Sequence, residues 1–272
     1  MLTLLLVLFA LNVATPGEMT CSDSVKESVV PMDIYVAGLE KEGVMTLASR
    51  DQVLYLNGPG VSSLKAGSVQ RLIRAEGKVR DPITGAPMGI YHKDIGTVQI
   101  ESVQPDSATA RVLVSCQEIL KGDVVTPFAA KQAIQFDGKL SDTLTQIPQN
   151  GLVSSIMLGK NDVRELAVGN FCFVGLGKRD GIATGDRFTV FRPQPEFNRN
   201  DLIAGQTGRS STYASVRDWL YKYRMIELLR QRKLPPVILG DIVVVEAGES
   251  VSTGKIVNSL LEMHPGDLVV KR

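Results

Sequence analysis

One block of sequence occurs twice in this chain, and this internal repeat constrains the fold more than any other feature. Val53–Arg74 aligns without a gap with Phe171–Arg192, at an offset of 118 residues. Gly96–Val125 aligns with Gly240–Val269 at an offset of 144 residues. Self-similarity of this kind is the signature of one structural unit built more than once. The sequence therefore predicts two copies of one module, and 272 residues are enough for two domains.

Within each copy, apolar and polar residues alternate over short stretches that are bounded by turn residues. The alternating apolar positions of the first copy include Val98, Ile100, Val103, Ala110, Val112 and Val114. This period-two pattern predicts β-strands, and several short strands with frequent turns predict a sandwich or barrel. We expect a mainly β fold with two tandem small β-barrel modules, SH3-like or related, at residues 31–128 and 151–272. Residues 129–150 are predicted to be a linker, in which Ile134 and Phe136 indicate one strand.

Turn residues recur at matching places in the two copies. Three Gly-Asp pairs stand at Gly122-Asp123, Gly185-Asp186 and Gly266-Asp267, and Asp81–Gly85 (Asp-Pro-Ile-Thr-Gly) predicts the tip of a hairpin. Glycine allows a positive φ, and an aspartate after it can accept hydrogen bonds from nearby backbone amides. The alternative is a carboxylate cluster for metal or acid–base chemistry. We favour the turn interpretation because the pairs recur at equivalent positions.

The second copy contains an insertion of 26 residues between Arg192 and Gly240, because the offset grows from 118 to 144. Within about 205–234, the stretch Ser211–Lys233 predicts an amphipathic helix. Its apolar face comprises Val216, Trp219, Leu220, Tyr223 and Ile226. This face either packs on the second barrel or binds a partner. In the second case the candidate partner-binding residues are Trp219, Tyr223, Arg217, Lys222 and Arg224.

The N-terminal region is typical of an exported protein. Leu2–Ala14 is an uncharged run of 13 residues, followed by Thr-Pro-Gly. That length suits the apolar core of a signal peptide and falls short of the roughly 20 residues that a spanning helix needs. Residues 1–17 are therefore predicted to be a signal peptide, which would make the protein periplasmic or extracellular. The polar residues 18–30 are expected to be loosely ordered.

The three cysteines, Cys21, Cys116 and Cys172, are far apart and lack the CxxC spacing of zinc or redox sites. An oxidising compartment would allow one disulfide and leave one thiol, and the sequence does not choose the pair. The favoured interpretation makes Cys116 and Cys172 small buried apolar residues within strands. Cys21 has no leucine three residues before it, which disfavours a lipoprotein anchor.

Motifs that carry catalysis are poorly supported. The chain has two histidines, His92 and His264, and neither has neighbours at ligand spacing. Ser62–Lys65 matches an SxxK pattern but leads into a turn, and Gly175–Gly177 is not followed by the helix that a dinucleotide loop requires. We therefore predict no catalytic residue, no metal and no cofactor. The net charge of +1 argues against a nucleic-acid partner.

A resemblance adds to this interpretation. The first copy resembles a β-module of bacterial envelope proteins, found in the C-terminal region of flagellar assembly protein T and beside LysM peptidoglycan-binding domains. The matching residues are Asp81, Pro82, Thr84, Gly85, Gly89, Gly96, Val98, Ala108, Val112, Gly122 and Asp123. The resemblance implies a periplasmic or cell-surface role without catalysis, and it carries over no functional residue.

Together these observations predict an exported, non-catalytic envelope binding or scaffold protein, associated with the cell wall. Its expected partner is an envelope protein or a cell-wall glycan, with no transmembrane span. Two alternatives stay open: an enzyme that acts on cell-wall polymers, and an assembly component of a flagellar, pilus or secretion apparatus.

Overall fold

The computed structural model describes residues 11–40, 48–130, 134–136, 151–193 and 235–272. Strands dominate these residues, and the one α-helix among them, α1, spans Pro16–Thr20. The strands are β1 Leu11–Ala14, β2 Ser24–Lys26, β3 Tyr35–Leu39, β4 Val53–Asn57, β5 Val69–Arg80, β6 Pro87–Val103, β7 Ala108–Ser115, β8 Val124–Pro127, β9 Ile134–Phe136, β10 Val153–Gly159, β11 Phe171–Val174, β12 Arg187–Arg192, β13 Val237–Ala247, β14 Ser252–Ser259 and β15 Leu268–Lys271. None of the helices in these ranges has the length and apolar character needed to cross a membrane.

Six strands of the first copy close into a barrel. Around the ring their order is β3-β4-β7-β6-β5-β8, and β8 pairs back to β3. A seventh strand, β2, pairs with the part of β6 that extends past the ring. The inward-facing residues of alternating strands form one apolar core; its members include Leu54, Leu56, Leu72, Ile95, Val98, Ile100, Val112 and Ile119.

Six strands of the second copy close into a barrel of the same topology. Their order is β10-β11-β14-β13-β12-β15, with β15 pairing back to β10. This is the first ring's order with each strand replaced by its counterpart in the second copy. The second barrel has its own core; its members include Ile156, Phe188, Val190, Ile242, Val244, Ile256 and Val269. The prediction of a mainly β fold with two tandem small barrels is confirmed, and the predicted helical insertion lies outside the described residues.

A crowded glycine marks the same point in both barrels. Gly96 and Gly240 both have φ +154°. A Cβ atom added at Gly96 would lie 2.1 Å from the carbonyl oxygen of Val114, and one at Gly240 would lie 2.1 Å from that of Asn258. Only glycine tolerates both this φ and this approach of a neighbouring strand. The repeat therefore preserves the residues on which barrel geometry depends.

The chain divides into two compact units, which do not coincide fully with the copies. Unit 1 comprises Met1–Lys78 with Gly89–Asp137, and unit 2 comprises Val79–Met88 with Gly138–Arg272. The segment assigned to unit 2 includes the β5–β6 hairpin turn. There one carboxylate oxygen of Asp81 accepts hydrogen bonds from the amides of Ile83 (2.9 Å) and Thr84 (3.2 Å). Gly85 has φ +68°, so the predicted hairpin tip is confirmed.

The prediction that residues 18–30 are loosely ordered is wrong. Thr15 caps α1 through a reciprocal pair of bonds with Glu18, and β2 follows the helix. Ser22 and Asp23, between helix and strand, are fully buried. The prediction was wrong because the partners of these polar residues lie far away in sequence, on β6.

Part of the predicted signal peptide also forms secondary structure in the full chain. Strand β1 comprises the end of the apolar run, and it pairs antiparallel with β9 in a two-stranded sheet. Ala14 is buried. Strand β9 bears out the strand predicted inside the linker. Cleavage of the signal peptide stays a prediction.

Candidate functional site

Each barrel contains an arginine–aspartate pair at the same position, and in both pairs the aspartate is buried. In the first barrel, Arg74 Nε donates to Asp123 Oδ1 (2.7 Å) and Nη2 donates to Oδ2 (2.9 Å). In the second, Arg192 makes the same two bonds to Asp267, at 2.7 and 2.8 Å. The hydrogen bond that each arginine donates to its aspartate is the main cause that raises the pKa of the arginine. We call these two pairs the Arg–Asp locks.

The aspartates of the locks also hold the turns that precede them. Asp123 Oδ2 accepts from the amide of Leu120 (2.8 Å), and Asp267 Oδ2 accepts from the amide of His264 (2.7 Å). Asp186, in the third Gly-Asp pair, accepts from the amide of Ala183 at 2.8 Å. The preceding glycines all have positive φ. The turn interpretation of the Gly-Asp pairs is therefore confirmed, and these carboxylates serve the fold.

A disulfide fastens the N-terminal segment to the first barrel. Cys21, directly after α1, is bonded to Cys116, directly after β7. The interpretation of Cys116 as a buried apolar residue within a strand is wrong, because it lies beyond the strand end and is only half-buried. Cys172 does match that interpretation: it is fully buried in β11, where desolvation raises the pKa of its thiol to about 12.

Beside the disulfide, a buried polar network binds the same segment to β5 and β6. The side chain of Asp23 accepts hydrogen bonds from Tyr91 Oη (2.5 Å) and from the amide of Asp94 (2.8 Å). In return, Asp94 accepts from the amide of Asp23 (3.2 Å). Both guanidinium donors Nε and Nη2 of Arg71 bind the two carboxylate oxygens of Asp94. Sequence reasoning missed this network, because Arg71 and Asp94 lie on strands that carry other charged residues and do not stand out in the sequence.

The two histidines both have structural contacts. His92 is buried beside the network, with Nδ1 3.0 Å from the carbonyl oxygen of Ile90 and Nε2 accepting from the amide of Val30 (3.4 Å). Desolvation is the main cause that lowers the pKa of His92, and Lys26 and Arg71 lower it further. His264 Nδ1 lies 3.0 Å from Nη2 of the lock arginine Arg192.

At the position of the disulfide, the second barrel has the same backbone hydrogen bonds as the first barrel but different side chains. In the first barrel, the carbonyl oxygen of Ile95 accepts from the amides of Cys116 (2.9 Å) and Gln117 (3.4 Å). In the second, Leu239 accepts from Leu260 (2.7 Å) and Leu261 (3.3 Å). Leu260 therefore stands where the first barrel has its disulfide, and its side chain is 59% exposed; that of Leu261 is 51% exposed.

The polar anchors of the first barrel are also replaced. By the alignment of the copies, Thr189 occupies the position of Arg71, and Ile238 occupies that of Asp94. The same surface of the second barrel therefore lacks both the covalent link and the Arg71–Asp94 ion pair. Ile238 is apolar, and Thr189 is buried and donates a hydrogen bond to Asp241 (3.3 Å).

Further apolar side chains lie in the neighbouring loop. Leu166 and Met263 form an isolated bridge that joins the β10–β11 connection to the β14–β15 connection. Val163 and Val168, in the first of these connections, are 40% and 59% exposed. We call Val163, Val168, Leu260 and Leu261 the apolar loop patch. Nine large apolar side chains are exposed among the described residues, and four of them belong to this patch. Exposed apolar side chains are therefore grouped here rather than scattered over the surface.

The residues predicted to bind a partner, Trp219, Tyr223, Arg217, Lys222 and Arg224, lie outside the described residues. Of the motifs judged non-catalytic, Ser62–Lys65 overlaps a single 3-10 turn, in which Ser63 Oγ donates to the carbonyl oxygen of Gly60 (2.7 Å). Gly175–Gly177 leads into another such turn, where the amide of Gly177 donates to Asp180 (2.9 Å). Across the part of the chain that the structure describes, no three acidic, histidine or cysteine side chains are grouped to hold a metal ion.

A comparison with protein-family models found no match. A comparison with curated protein sequences found no match either.

Proposed function

We propose that this chain is an exported, non-catalytic binding or scaffold protein of the bacterial cell envelope, whose partner is an envelope protein or a cell-wall glycan. The observation that carries the proposal is the disulfide between Cys21 and Cys116. Disulfides form and persist in oxidising compartments and are rare in the bacterial cytosol. The apolar run at Leu2–Ala14 supplies a route to such a compartment.

The assignment of a non-catalytic role is supported by how the buried charges are used. The Arg–Asp locks stand at the same position in both barrels and hold equivalent turns. Of the other buried carboxylates, Asp23 and Asp94 bind each other's backbone amides and attach the N-terminal segment. Asp81 accepts hydrogen bonds from amides of its own turn, and Asp241 accepts from the side chains of Thr189 and Asn258. Perturbed titratable groups often mark active sites, but they also occur in ion-pair networks that stabilise a fold. Because these carboxylates have structural partners, we favour a rigid protein that presents binding surfaces.

Export is tested by expressing the full chain with its own N-terminus in a Gram-negative bacterium and separating the cell fractions. After trapping free thiols with a maleimide reagent, we expect the periplasmic protein to carry one label under denaturing conditions, on Cys172. The matched control, Cys21→Ser, should carry two labels. A full-length protein found in the cytoplasm with three labelled thiols would overturn the proposal.

Binding is tested by co-sedimentation with purified peptidoglycan and by co-purification from solubilised envelope. The purified protein should sediment with one of these fractions, and the variant lacking residues 205–234 shows whether the predicted helix contributes. Turnover of peptidoglycan by the protein would favour the enzyme alternative. A protein that stays in the supernatant with every envelope fraction removes the basis of the scaffold proposal.

A further inference from the structure

We infer that the apolar loop patch on the second barrel is a docking site for an extended apolar segment of a partner protein. This inference rests on the proposed function and deepens it, because it identifies the surface and the kind of partner. It rests on a comparison of the two barrels, which share one topology. The same position is occupied in the first barrel and exposed in the second.

The first barrel shows what this position holds. The N-terminal segment passes from α1 to Cys21, which is bonded to Cys116, and continues into β2, which pairs with β6. Gln117, next to the attachment point, is half-buried. The exposed position that corresponds to Val168 is Arg50, whose side chain is 77% exposed. In the first barrel, the N-terminal segment therefore covers this surface at Cys116, and a charged residue, Arg50, occupies the part that is exposed to solvent.

The second barrel keeps the backbone of the position and leaves apolar side chains in solvent. Both pairs of amides bind the equivalent carbonyl oxygens, so Leu260 and Leu261 project from the same place as Cys116 and Gln117. Binding that removes these leucine side chains from water is favoured by the hydrophobic effect. Apolar side chains grouped in this way mark interaction sites more often than scattered ones do.

The side chains of the patch indicate the chemistry of the occupant. With Thr189 and Ile238 in place of Arg71 and Asp94, the second barrel lacks the ion pair that lies beside Asp23 in the first barrel. With Leu260 in place of Cys116, it does not offer a covalent bond. The matching segment therefore presents apolar side chains where the N-terminal segment presents a cysteine and an aspartate.

The size of the patch separates a segment from a whole subunit. A stable complex between two folded subunits buries roughly 800 Å² on each, contributed by about 20–30 residues. Four side chains in two loops supply far less than this. An extended peptide, in contrast, binds through a few alternate side chains and its own backbone. Size therefore favours a segment over a second copy of this chain.

The test uses a phage-displayed library of short random peptides, selected on the immobilised, oxidised full chain. A selected peptide is then synthesised, and its Kd is measured by fluorescence anisotropy. We expect selected peptides to carry apolar residues at alternate positions. The double variant Leu260→Ser/Leu261→Ser should weaken binding about tenfold or more, which is the size of an anchor-residue effect.

The matched control is Val29→Ser/Met32→Ser, which removes two apolar side chains of similar exposure (58% and 52%) from the N-terminal segment. It should leave the Kd unchanged, and both variants should keep the thermal unfolding midpoint of the parent. If the Leu260/Leu261 variant binds selected peptides as well as the parent does, or if selection on the parent yields no apolar peptides, the inference fails.

Two other outcomes would replace the proposed occupant. A parent that sediments as a dimer, with the Leu260/Leu261 variant monomeric, would assign the patch to a second copy. Peptide binding seen only after deletion of residues 205–234 would assign it to the chain itself. If the peptides do not bind but the protein is still periplasmic and oxidised, the docking inference fails and the proposed function stands.

Discussion

The disulfide between Cys21 and Cys116 gives a prediction whose size follows from the loop that it closes. The two cysteines are 95 residues apart, so the bond removes a large part of the conformational freedom of the unfolded chain. For a loop of this length the chain-entropy model gives about 4.7 kcal/mol of stabilisation at 25 °C. Replacing both cysteines by alanine should lower the free energy of unfolding of unit 1 by up to this amount, which is a large share of the 5–15 kcal/mol typical of a domain.

The measurement is urea unfolding followed by hydrogen exchange and mass spectrometry, which reports on peptides from each unit separately. With a slope of about 1–3 kcal/mol per molar urea, the loss corresponds to a fall of roughly 2 M in the midpoint for unit 1. Peptides from the second barrel serve as the internal control and should keep their midpoint. Cys172→Ala is the matched variant, since it removes a thiol without removing a link.

The reasoning fails in two recognisable ways. If the Cys21→Ala/Cys116→Ala variant unfolds at the same urea concentration as the parent, then the native fold holds the N-terminal segment without help from loop closure. If both units lose stability together, the disulfide supports more than the unit in which it lies. Faster exchange confined to β2 and the outer end of β6 would show that the variant loses only the seventh strand.

Three further predictions concern single side chains. Asp123→Asn should lower the free energy of unfolding by about 3 kcal/mol, because it leaves a partly buried arginine unpaired, and Asp267→Asn should cost less, since its arginine is 44% exposed; equal losses in urea unfolding would contradict this order. Gly96→Ala and Gly240→Ala should each cost more than about 1 kcal/mol, because the new Cβ meets a carbonyl oxygen at a φ that alanine disfavours; midpoints equal to the parent's would contradict it. The pKa of His92 is lower in the folded protein than the ordinary value of 6.5, so stability should fall as pH drops below about 6.5 and through the folded pKa, and His92→Gln should flatten that dependence; a parent equally stable across this window would refute the assignment.

The fold was accessible from the sequence where residues close together in the chain determine it. The aligned copies, the period-two alternation and the glycine turns predicted two small barrels, because strand pairing between neighbours follows from local pattern. The hairpin at Asp81–Gly85 was predicted for the same reason. The closing pairs, such as β3 with β8, join residues far apart, and no local pattern indicates them.

The candidate site was much less accessible. The N-terminal segment was expected to be loose, because its polar residues show no pattern without their partners on β5 and β6. The pairing of Cys21 with Cys116 depends on the same long-range contact, and the sequence left it open. One signal was present and was missed: Arg74 aligns with Arg192 and Asp123 aligns with Asp267, so an arginine on a strand could have been linked in each copy with the aspartate of a turn.

The two Arg–Asp locks and the two crowded glycines have a consequence for ancestry. Closure of each barrel depends mostly on backbone hydrogen bonds, which every residue except proline can donate, and only a few sites require one particular side chain. Mutations can accumulate elsewhere in either copy without opening the ring, and the two halves of this polypeptide already differ at most positions. Distant relatives should therefore be recognised by the spacing of those few sites rather than by overall identity, and a duplicated gene of this kind can assign a new task to one half while the other keeps the old one.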